Sequence, residues 1–343
     1  MENKYYEESI EKNTRYRKEY EEGITAFLQK EKEKANLKRK QFMSPNAYRA
    51  NAEKYRREFI NMLGFPLNQD FGKPKLLEKT FVIQDGNVKI YRMQFLVLKC
   101  IKFYGIYFEQ VNTDKNTPFI IGLHGGEGTP ELVGSIHLGS ANYNHLVRRI
   151  TDKGANVFAP QLLLWNKQNY GGEYDRNLID GKLRMLGGSI TALELYLLRG
   201  CIDYFIENEN INETKIGACG MSYGGMYALH LAAVDTRIKA CYSCSWVCDG
   251  FVYSWPDWSY KNAQNTFAVV ETAALIAPRA LVVGMGNKDE LFDWHLTKLG
   301  CEEIDSFYRE FETQDNFKTV IYDGVHEFDK TEAGIDFLLK SLR

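Results

Sequence analysis

Hydrophobic and polar residues follow three successive patterns along the chain, and the first of them is helical. Residues 1 to about 40 alternate Lys and Glu, with a narrow apolar stripe that includes Ile24 and Phe27. Between Ser44 and Gly64, apolar residues recur every three or four positions after a serine–proline pair. These patterns predict two N-terminal helices. The first helix either packs on the body with one face in solvent or serves as an oligomerisation arm.

The second pattern lies between residues 80 and 110, where apolar and polar positions alternate with a period of two. Segments 81–83, 88–91 and 105–108 have this period, and Asp85-Gly86 separates the first two. Such alternation, interrupted by an Asp-Gly turn, predicts antiparallel strands.

The third pattern begins after Pro118, where short apolar runs alternate with helical segments, as in a parallel sheet covered by helices on both faces. The predicted strands are 119–123, 157–159, 216–219, 238–241, 281–284 and 319–322, and the predicted helices include 142–153, 190–207 and 223–234. We therefore predict an α/β fold with a mostly parallel central sheet over residues 76–343. Residues 1–75 are predicted to form a helical extension packed on this domain.

One short motif, Gly220-Met221-Ser222-Tyr223-Gly224, lies between a predicted strand and a predicted helix. It fits the G-x-S-x-G nucleophile elbow, in which a serine occupies a strained strand-to-helix turn. Glycines are needed beside the serine because the strand and the helix approach too closely for a Cβ atom. The helix that follows directs its N-terminal amides at the serine oxygen. Ser222 is therefore the predicted nucleophile.

A nucleophilic serine needs a histidine base and a carboxylate that orients the histidine, and in α/β-hydrolases both follow the serine in sequence. Two histidines follow Ser222: His326 in a loop after the last predicted strand, and His295 within a helical pattern. His326 is the predicted base. The loop after the preceding strand contains Asp289, the favoured acid, and Glu290, its alternative.

The oxyanion of an acyl-transfer reaction needs preorganised hydrogen-bond donors. One predicted donor is the backbone amide of Tyr223, at the start of the helix after the serine. The second is predicted in the loop after strand 119–123, where Gly125 and Gly126 let a backbone amide approach a substrate carbonyl. The sequence leaves Gly125 and Gly126 as alternatives.

An aromatic segment, residues 246–260, follows the predicted strand 238–241 and includes Trp246, Trp255 and Trp258. Core packing explains such a segment as well as substrate binding does. Because this strand should end on the ligand-binding edge of the sheet, we predict that at least one of the three tryptophans lines the cavity of Ser222. A small aromatic pocket would favour acetyl over long acyl groups.

Composition narrows the possible partners of the 343-residue chain. Its formal net charge of −2 argues against a nucleic-acid or anionic-membrane partner. The N-terminus has no apolar signal region and no apolar run approaches the roughly 20 residues of a membrane span, so we expect a cytoplasmic protein. Seven cysteines, an odd number, favour reduced thiols. Cys241, Cys244 and Cys248 are interpreted as packed thiols, and neither a metal nor an organic cofactor is expected.

These motifs together resemble the α/β-hydrolase superfamily over roughly residues 75–343. Within it, the chain is similar to bacterial dienelactone-hydrolase-related and acetyl-xylan-esterase-like proteins. The segments that carry the similarity are Leu123-His124-Gly125-Gly126, Cys219-Gly220-Met221-Ser222-Tyr223-Gly224-Gly225, Ala233-Val234-Asp235-Thr236-Arg237-Ile238-Lys239-Ala240 and Gly324-Val325-His326-Glu327-Phe328. Dienelactone hydrolases proper use a cysteine nucleophile, whereas the matching residue here is Ser222.

The resemblance implies a serine esterase that works through an acyl-enzyme on a small-molecule ester, with carbohydrate acetyl esters as the favoured substrates. Two alternatives stay open: a hydrolase of small peptides or amides, and a non-catalytic binding protein with a hydrolase fold. The oligomeric state is not indicated by any pattern in the sequence.

Overall fold

A nine-stranded mixed sheet forms the centre of the protein in a computed structural model that describes residues 8–136, 139–164 and 174–343. The strands are β1 (Lys75–Asp85), β2 (Val88–Val97), β3 (Ile101–Gln110), β4 (Phe119–Leu123), β5 (Asn156–Pro160), β6 (Ile216–Met221), β7 (Ile238–Cys244), β8 (Ala280–Gly286) and β9 (Phe317–Tyr322). Their spatial order is β1-β2-β3-β5-β4-β6-β7-β8-β9. Strands β1, β2, β3 and β5 pair antiparallel in that order, and every pair from β5 to β9 is parallel. The predicted change from antiparallel to parallel pairing is confirmed.

Helices surround the sheet. They are α1 (Ile10–Phe42), α2 (Pro45–Leu63), α3 (Pro130–Val133), α4 (Leu146–Asp152), α5 (Arg176–Met185), α6 (Ile190–Asn208), α7 (Tyr223–Val234), α8 (Val269–Ala274), α9 (Trp294–Glu310) and α10 (Ala333–Lys340). The predicted helix over 142–153 is shorter in the structure, because Asn144 and His145 adopt left-handed φ angles of 48° and 58°. Only α4 continues beyond this break.

Two hydrophobic cores lie on opposite faces of the sheet. Along β4, Phe119, Ile121 and Leu123 contribute to the first core and Ile120 to the second, as expected when successive side chains point to opposite faces. The first core includes side chains of α2, α6, α7, α8 and α9, and the second includes those of α3, α4 and α10. The central strands are therefore buried on both faces, which explains their continuous apolar sequences.

The two N-terminal helices differ in how they contact this body. Helix α2 begins at the predicted N-cap, where the Ser44 hydroxyl accepts a hydrogen bond from the Ala47 amide at 3.2 Å. The face of α2 that carries Phe59 is buried in the first core. Helix α1 is 33 residues long, and of its residues Ala35 and Arg39 are buried. The predicted apolar stripe around Ile24 and Phe27 lies in solvent, with exposed fractions of 42% and 61%.

The seven cysteines are all free, and six of them, Cys100 excepted, are buried. Within the described residues, no cluster of three or more His, Cys, Asp or Glu side chains has the arrangement of a metal site. None of the helices described is both long and apolar enough to span a bilayer.

Candidate active site

Ser222 lies at a sharp backbone turn between the end of β6 and the start of α7. Its φ and ψ angles are 58° and −125°, a conformation that is strained for a residue with a side chain. Flanking glycines make the turn possible, because a Cβ atom on Gly220 would lie 2.3 Å from the Gly224 carbonyl oxygen. A Cβ atom on Gly224 would lie 2.1 Å from the Leu123 oxygen. The sequence between β6 and α7 therefore has the geometry of a nucleophile elbow.

Asp289 and His326 meet beside this turn. Asp289 follows β8 and His326 follows β9, and Asp289 Oδ2 lies 2.8 Å from His326 Nδ1. The Asp289 side chain is fully buried, and its other oxygen accepts hydrogen bonds from the backbone amides of Leu291 and Phe292 at 2.9 and 3.0 Å. The Phe292 ring lies 5.6 Å from the imidazole. The carboxylate and the imidazole ring thus have fixed positions.

The two sequence alternatives for the acid and the base occupy different places. Glu290 contacts the same loop, but its Oε2 accepts a hydrogen bond from the backbone amide of His326 at 3.1 Å, not from the ring. His295 is exposed at the start of α9, where its Nδ1 lies 2.8 Å from Asp293 Oδ1. The structure therefore brings Asp289 and His326 together and leaves His295 outside the site.

The loop after β4 contains both glycine alternatives for the second oxyanion donor. The Gly125 amide donates a hydrogen bond to the Tyr143 hydroxyl at 2.9 Å. For the Gly126 amide, no hydrogen bond is found within the described part of the chain. The His124 ring contacts this loop and the chain after β5. Its Nδ1 lies 2.8 Å from the Gly125 carbonyl oxygen, and its Nε2 accepts a hydrogen bond from the Leu162 amide at 3.0 Å. Burial lowers the pKa of His124 to about 4.

These groups border one small cavity of about 80 Å³, which we name the reaction pocket. Its lining consists of Gly125, Gly126, Glu127, Asn142, Tyr143, Met221, Ser222, Tyr223, Trp255, Trp258, Leu291, Phe292 and His326. Trp255 and Trp258 stack with ring centroids 4.8 Å apart and an interplanar angle of 9°. Trp246 lies outside this lining, and its ring centroid is 6.2 Å from that of Trp258. Two of the three predicted tryptophans therefore face the cavity.

A buried ionic network supports the reaction pocket, and sequence reasoning did not find it. Asp257 accepts hydrogen bonds from the Tyr223 hydroxyl at 3.1 and 3.0 Å and from Arg176 Nε at 2.6 Å. Arg176 also contacts Glu194 Oε2 at 3.2 Å and the Tyr227 hydroxyl at 2.8 Å. Asp257 lies 81 residues after Arg176, so no local motif joins them. The network connects the residue after Ser222 to the turn that carries both stacked tryptophans.

The mixed sheet, with a strained serine between strand β6 and helix α7, has the α/β-hydrolase fold. The resemblance inferred from the sequence is confirmed at the level of the fold. Comparisons with solved structures, described below, agree with this fold. No protein-family model matches the chain.

One curated relative is "Putative hydrolase YtaP" of Bacillus subtilis (strain 168), which is 28% identical over 185 residues. The match covers 49% of this chain and 58% of that protein, so it spans little more than half the length of the relative.

Several solved structures share the fold. One is described as a putative acetyl xylan esterase from Bacteroides fragilis NCTC 9343, with a TM-score of 0.67, 17% identity, and coverage of 82% of this chain and 76% of that one. Methylesterase BT1017 gives a TM-score of 0.66 at 17% identity, covering 90% and 67% of the two chains. A glucuronoyl esterase from Solibacter usitatus gives 0.59 at 15% identity, covering 79% and 86%.

Proposed function

We propose that the protein is a serine hydrolase of carboxylic esters, with Ser222 as nucleophile, His326 as base and Asp289 as the orienting acid. The observation that carries this proposal is the 2.8 Å contact between Asp289 Oδ2 and His326 Nδ1 at the pocket that also contains Ser222. A proton on Nδ1 shared with the carboxylate leaves the lone pair of Nε2 available to take the serine proton.

The reaction then proceeds in two balanced halves. Ser222 Oγ attacks the ester carbonyl carbon while His326 Nε2 takes the hydroxyl proton, and the same proton passes to the departing alcohol as the acyl-enzyme forms. Water next attacks the acyl-enzyme, His326 removes its proton, and Ser222 leaves with that proton as the carboxylic acid is released.

The proposed oxyanion donors are the backbone amides of Tyr223 and Gly126. Because the Gly125 amide already donates to Tyr143, Gly126 is the better supported of the two glycine alternatives. Each such donor lowers the barrier by roughly 3–4 kcal/mol where mutational data exist.

The proposed substrates are esters with a short acyl group, acetyl esters of carbohydrates in particular. A reaction pocket of about 80 Å³ supports a small acyl group. The stacked rings of Trp255 and Trp258 offer an apolar face of the kind on which sugars bind. The descriptions of the structural neighbours as acetyl xylan and glucuronoyl esterases support a carbohydrate ester.

The test is hydrolysis of 4-nitrophenyl acetate, acetylated sugars and an aminoacyl 4-nitroanilide by the purified protein, together with labelling by a fluorophosphonate probe. We expect ester hydrolysis and labelling in the wild type. In folded Ser222→Ala, we expect kcat to fall by roughly 10⁴–10⁶ and labelling to vanish. Ser306→Ala, an exposed serine of α9, is the matched control. Activity of Ser222→Ala within tenfold of wild type would refute the proposal, and faster cleavage of the anilide would favour an amide hydrolase.

A further inference from the structure

A second, larger cavity adjoins the reaction pocket at Trp258, and its outer side is open to solvent at the exposed residues Ser254, Ser259 and Asn262. This inner cavity has a volume of about 250 Å³. Its lining consists of His230, Trp246, Cys248, Gly250, Phe251, Ser254, Trp258, Ser259, Tyr260, Asn262, Ala263, Gln264, Asn265, Phe267, Ala268, Val269 and Thr272. Among the described residues, Trp258 is the one that lines both cavities. One indole ring therefore separates the two spaces.

The inner cavity suits an alkyl chain. No Asp, Glu, Lys or Arg is found among its described lining residues, and burial keeps His230 neutral by lowering its pKa to about 4. Apolar cavities of about 150 Å³ bind benzene, so by proportion this volume holds about ten carbon atoms. The reaction pocket, at about 80 Å³, is a third of that size.

Trp258 is held rigidly between the two cavities. Its indole Nε1 donates a hydrogen bond to the Tyr253 carbonyl oxygen at 2.6 Å. Its ring stacks on Trp255 and lies 5.1 Å from the ring of Tyr223, and its exposed fraction is 8%. The preceding residue, Asp257, is fixed by the ion pair with Arg176. A ring with this many partners does not swing aside without breaking several contacts.

We propose that Trp258 determines the acyl specificity of this protein by closing the inner cavity to the acyl group of the substrate. The inference rests on the proposed esterase function. With the ring in place, the acyl group has only the reaction pocket, which favours acetyl esters. With the ring removed, the two cavities join, and the chain of a medium-length acyl group can enter an apolar space.

The experiment compares 4-nitrophenyl acetate and octanoate in wild type, Trp258→Ala and Trp258→Leu. We expect the octanoate-to-acetate ratio of kcat/KM to rise by at least about a hundredfold in Trp258→Ala, because each methylene moved out of water favours binding about fourfold. Trp258→Leu, which keeps an apolar side chain, is the second variant should the alanine variant fold poorly. Phe251→Ala is the matched control, because Phe251 lines the inner cavity and not the reaction pocket, so its loss leaves Trp258 in place and should not produce this rise.

A variant that fills the inner cavity tests whether the gain in octanoate hydrolysis arises there. A Cβ atom on Gly250 would meet Val269 Cγ2 at an ordinary 3.5 Å, so a side chain can begin at this inner-cavity position without a clash at Cβ. Gly250→Leu combined with Trp258→Ala should cancel the octanoate gain while acetate hydrolysis persists. An unchanged ratio in both folded Trp258 variants, an equal rise in Phe251→Ala, or a gain that survives Gly250→Leu would each overturn the proposal.

A binding measurement separates this proposal from the proposed function. Titration with 1-dodecanol, a neutral alkyl probe longer than the roughly ten carbon atoms that the inner cavity alone holds, should show saturable binding at least tenfold tighter in Trp258→Ala than in wild type, whether or not either protein hydrolyses esters. Failure of ester hydrolysis with this binding difference intact would refute the esterase and keep Trp258 as the barrier between the cavities. Equal dodecanol binding by both proteins would refute the barrier.

Discussion

Two histidines that take no direct part in the proposed reaction, His124 and His230, are both buried and neutral. The Nδ1 atom of each faces a backbone carbonyl oxygen, of Gly125 at 2.8 Å and of Met226 at 2.9 Å. A carbonyl only accepts hydrogen bonds, so Nδ1 carries the proton in both rings. Because burial opposes a second proton, their pKa values fall from 6.5 to about 4. Folding therefore requires both rings to stay neutral.

Acid should destabilise the protein through these two residues. Between pH 6.5 and 4 the unfolded chain takes up protons on both rings and the folded chain does not, so the free energy of unfolding falls as the pH falls. The loss from pH 7 to pH 5 is roughly 2 kcal/mol for each histidine. Urea unfolding measures it: relative to wild type, His230→Phe should gain roughly 2 kcal/mol over this pH change, and Ser306→Ala, an exposed substitution that removes no titrating group, should gain nothing. A pH-independent difference between His230→Phe and wild type would contradict the assignment.

Among the elements of the fold, the loops after β8 and β9 are joined by contacts of two carboxylates with one histidine. Asp289 contacts the His326 ring, and the neighbouring Glu290 accepts a hydrogen bond from the His326 backbone amide at 3.1 Å. Two adjacent carboxylates thus contact the same residue in different ways. One orients the imidazole, and the other orients the chain that carries it.

Substitution of the two carboxylates should separate these effects. Asp289→Asn should lower kcat for the acetyl ester by about 10⁴-fold, because the amide favours the wrong imidazole tautomer. Glu290→Gln keeps an oxygen that accepts from the His326 amide, so kcat should stay within about tenfold of wild type. Steady-state kinetics at saturating substrate measure both. Equal losses in the two variants, or a larger loss in Glu290→Gln, would reverse the roles assigned to them.

The sequence predicted those elements whose signals are local. The strand 119–123 is confirmed residue for residue as β4, because an apolar run buried on both faces needs no distant information. The motif around Ser222 likewise carries its own turn glycines. Contacts such as Arg176–Asp257 join segments far apart in the chain, and only the folded structure brings them together. The choice between Gly125 and Gly126 also depended on a distant residue, Tyr143.

The whole molecule includes a helix whose two ends have different surroundings. In α1, every residue from Ile10 to Lys30 is exposed. Its C-terminal part contacts the body through Lys32, whose Nζ lies 2.7 Å from Asp249, and through Arg39, whose Nε lies 2.9 Å from Glu271. Burial raises the pKa of Glu271, and the Arg39 guanidinium opposes this effect. We infer that α1 stabilises the body through its last three turns.

Removal of the exposed part of α1 should therefore be tolerated, whereas a single substitution in its buried C-terminal part should not. Deletion of residues 1–28 should change Tm by less than about 2 °C, because the described part of this segment, residues 8–28, is exposed throughout. Arg39→Met should lower the free energy of unfolding by about 3 kcal/mol, because it leaves the buried Glu271 carboxyl unpaired. Thermal and urea unfolding measure the two effects, with Lys18→Met on the exposed part of α1 as a control. A large destabilisation by the deletion would show that the exposed part of α1 contributes to the fold.

The buried contact between Arg176 and Asp257 has a consequence for how such a protein can diversify. Ser222, Asp289 and His326 follow strands of the central sheet, whereas Trp255 and Trp258 belong to a connection anchored by helix α5. Selection, natural or in the laboratory, can therefore vary the less buried residues between 246 and 268 to change substrate range while the proposed reacting groups keep their positions. A library confined to this segment, with Asp257 and the core residues Trp246, Val247 and Phe267 held constant, should yield new acyl preferences at little cost in folded protein.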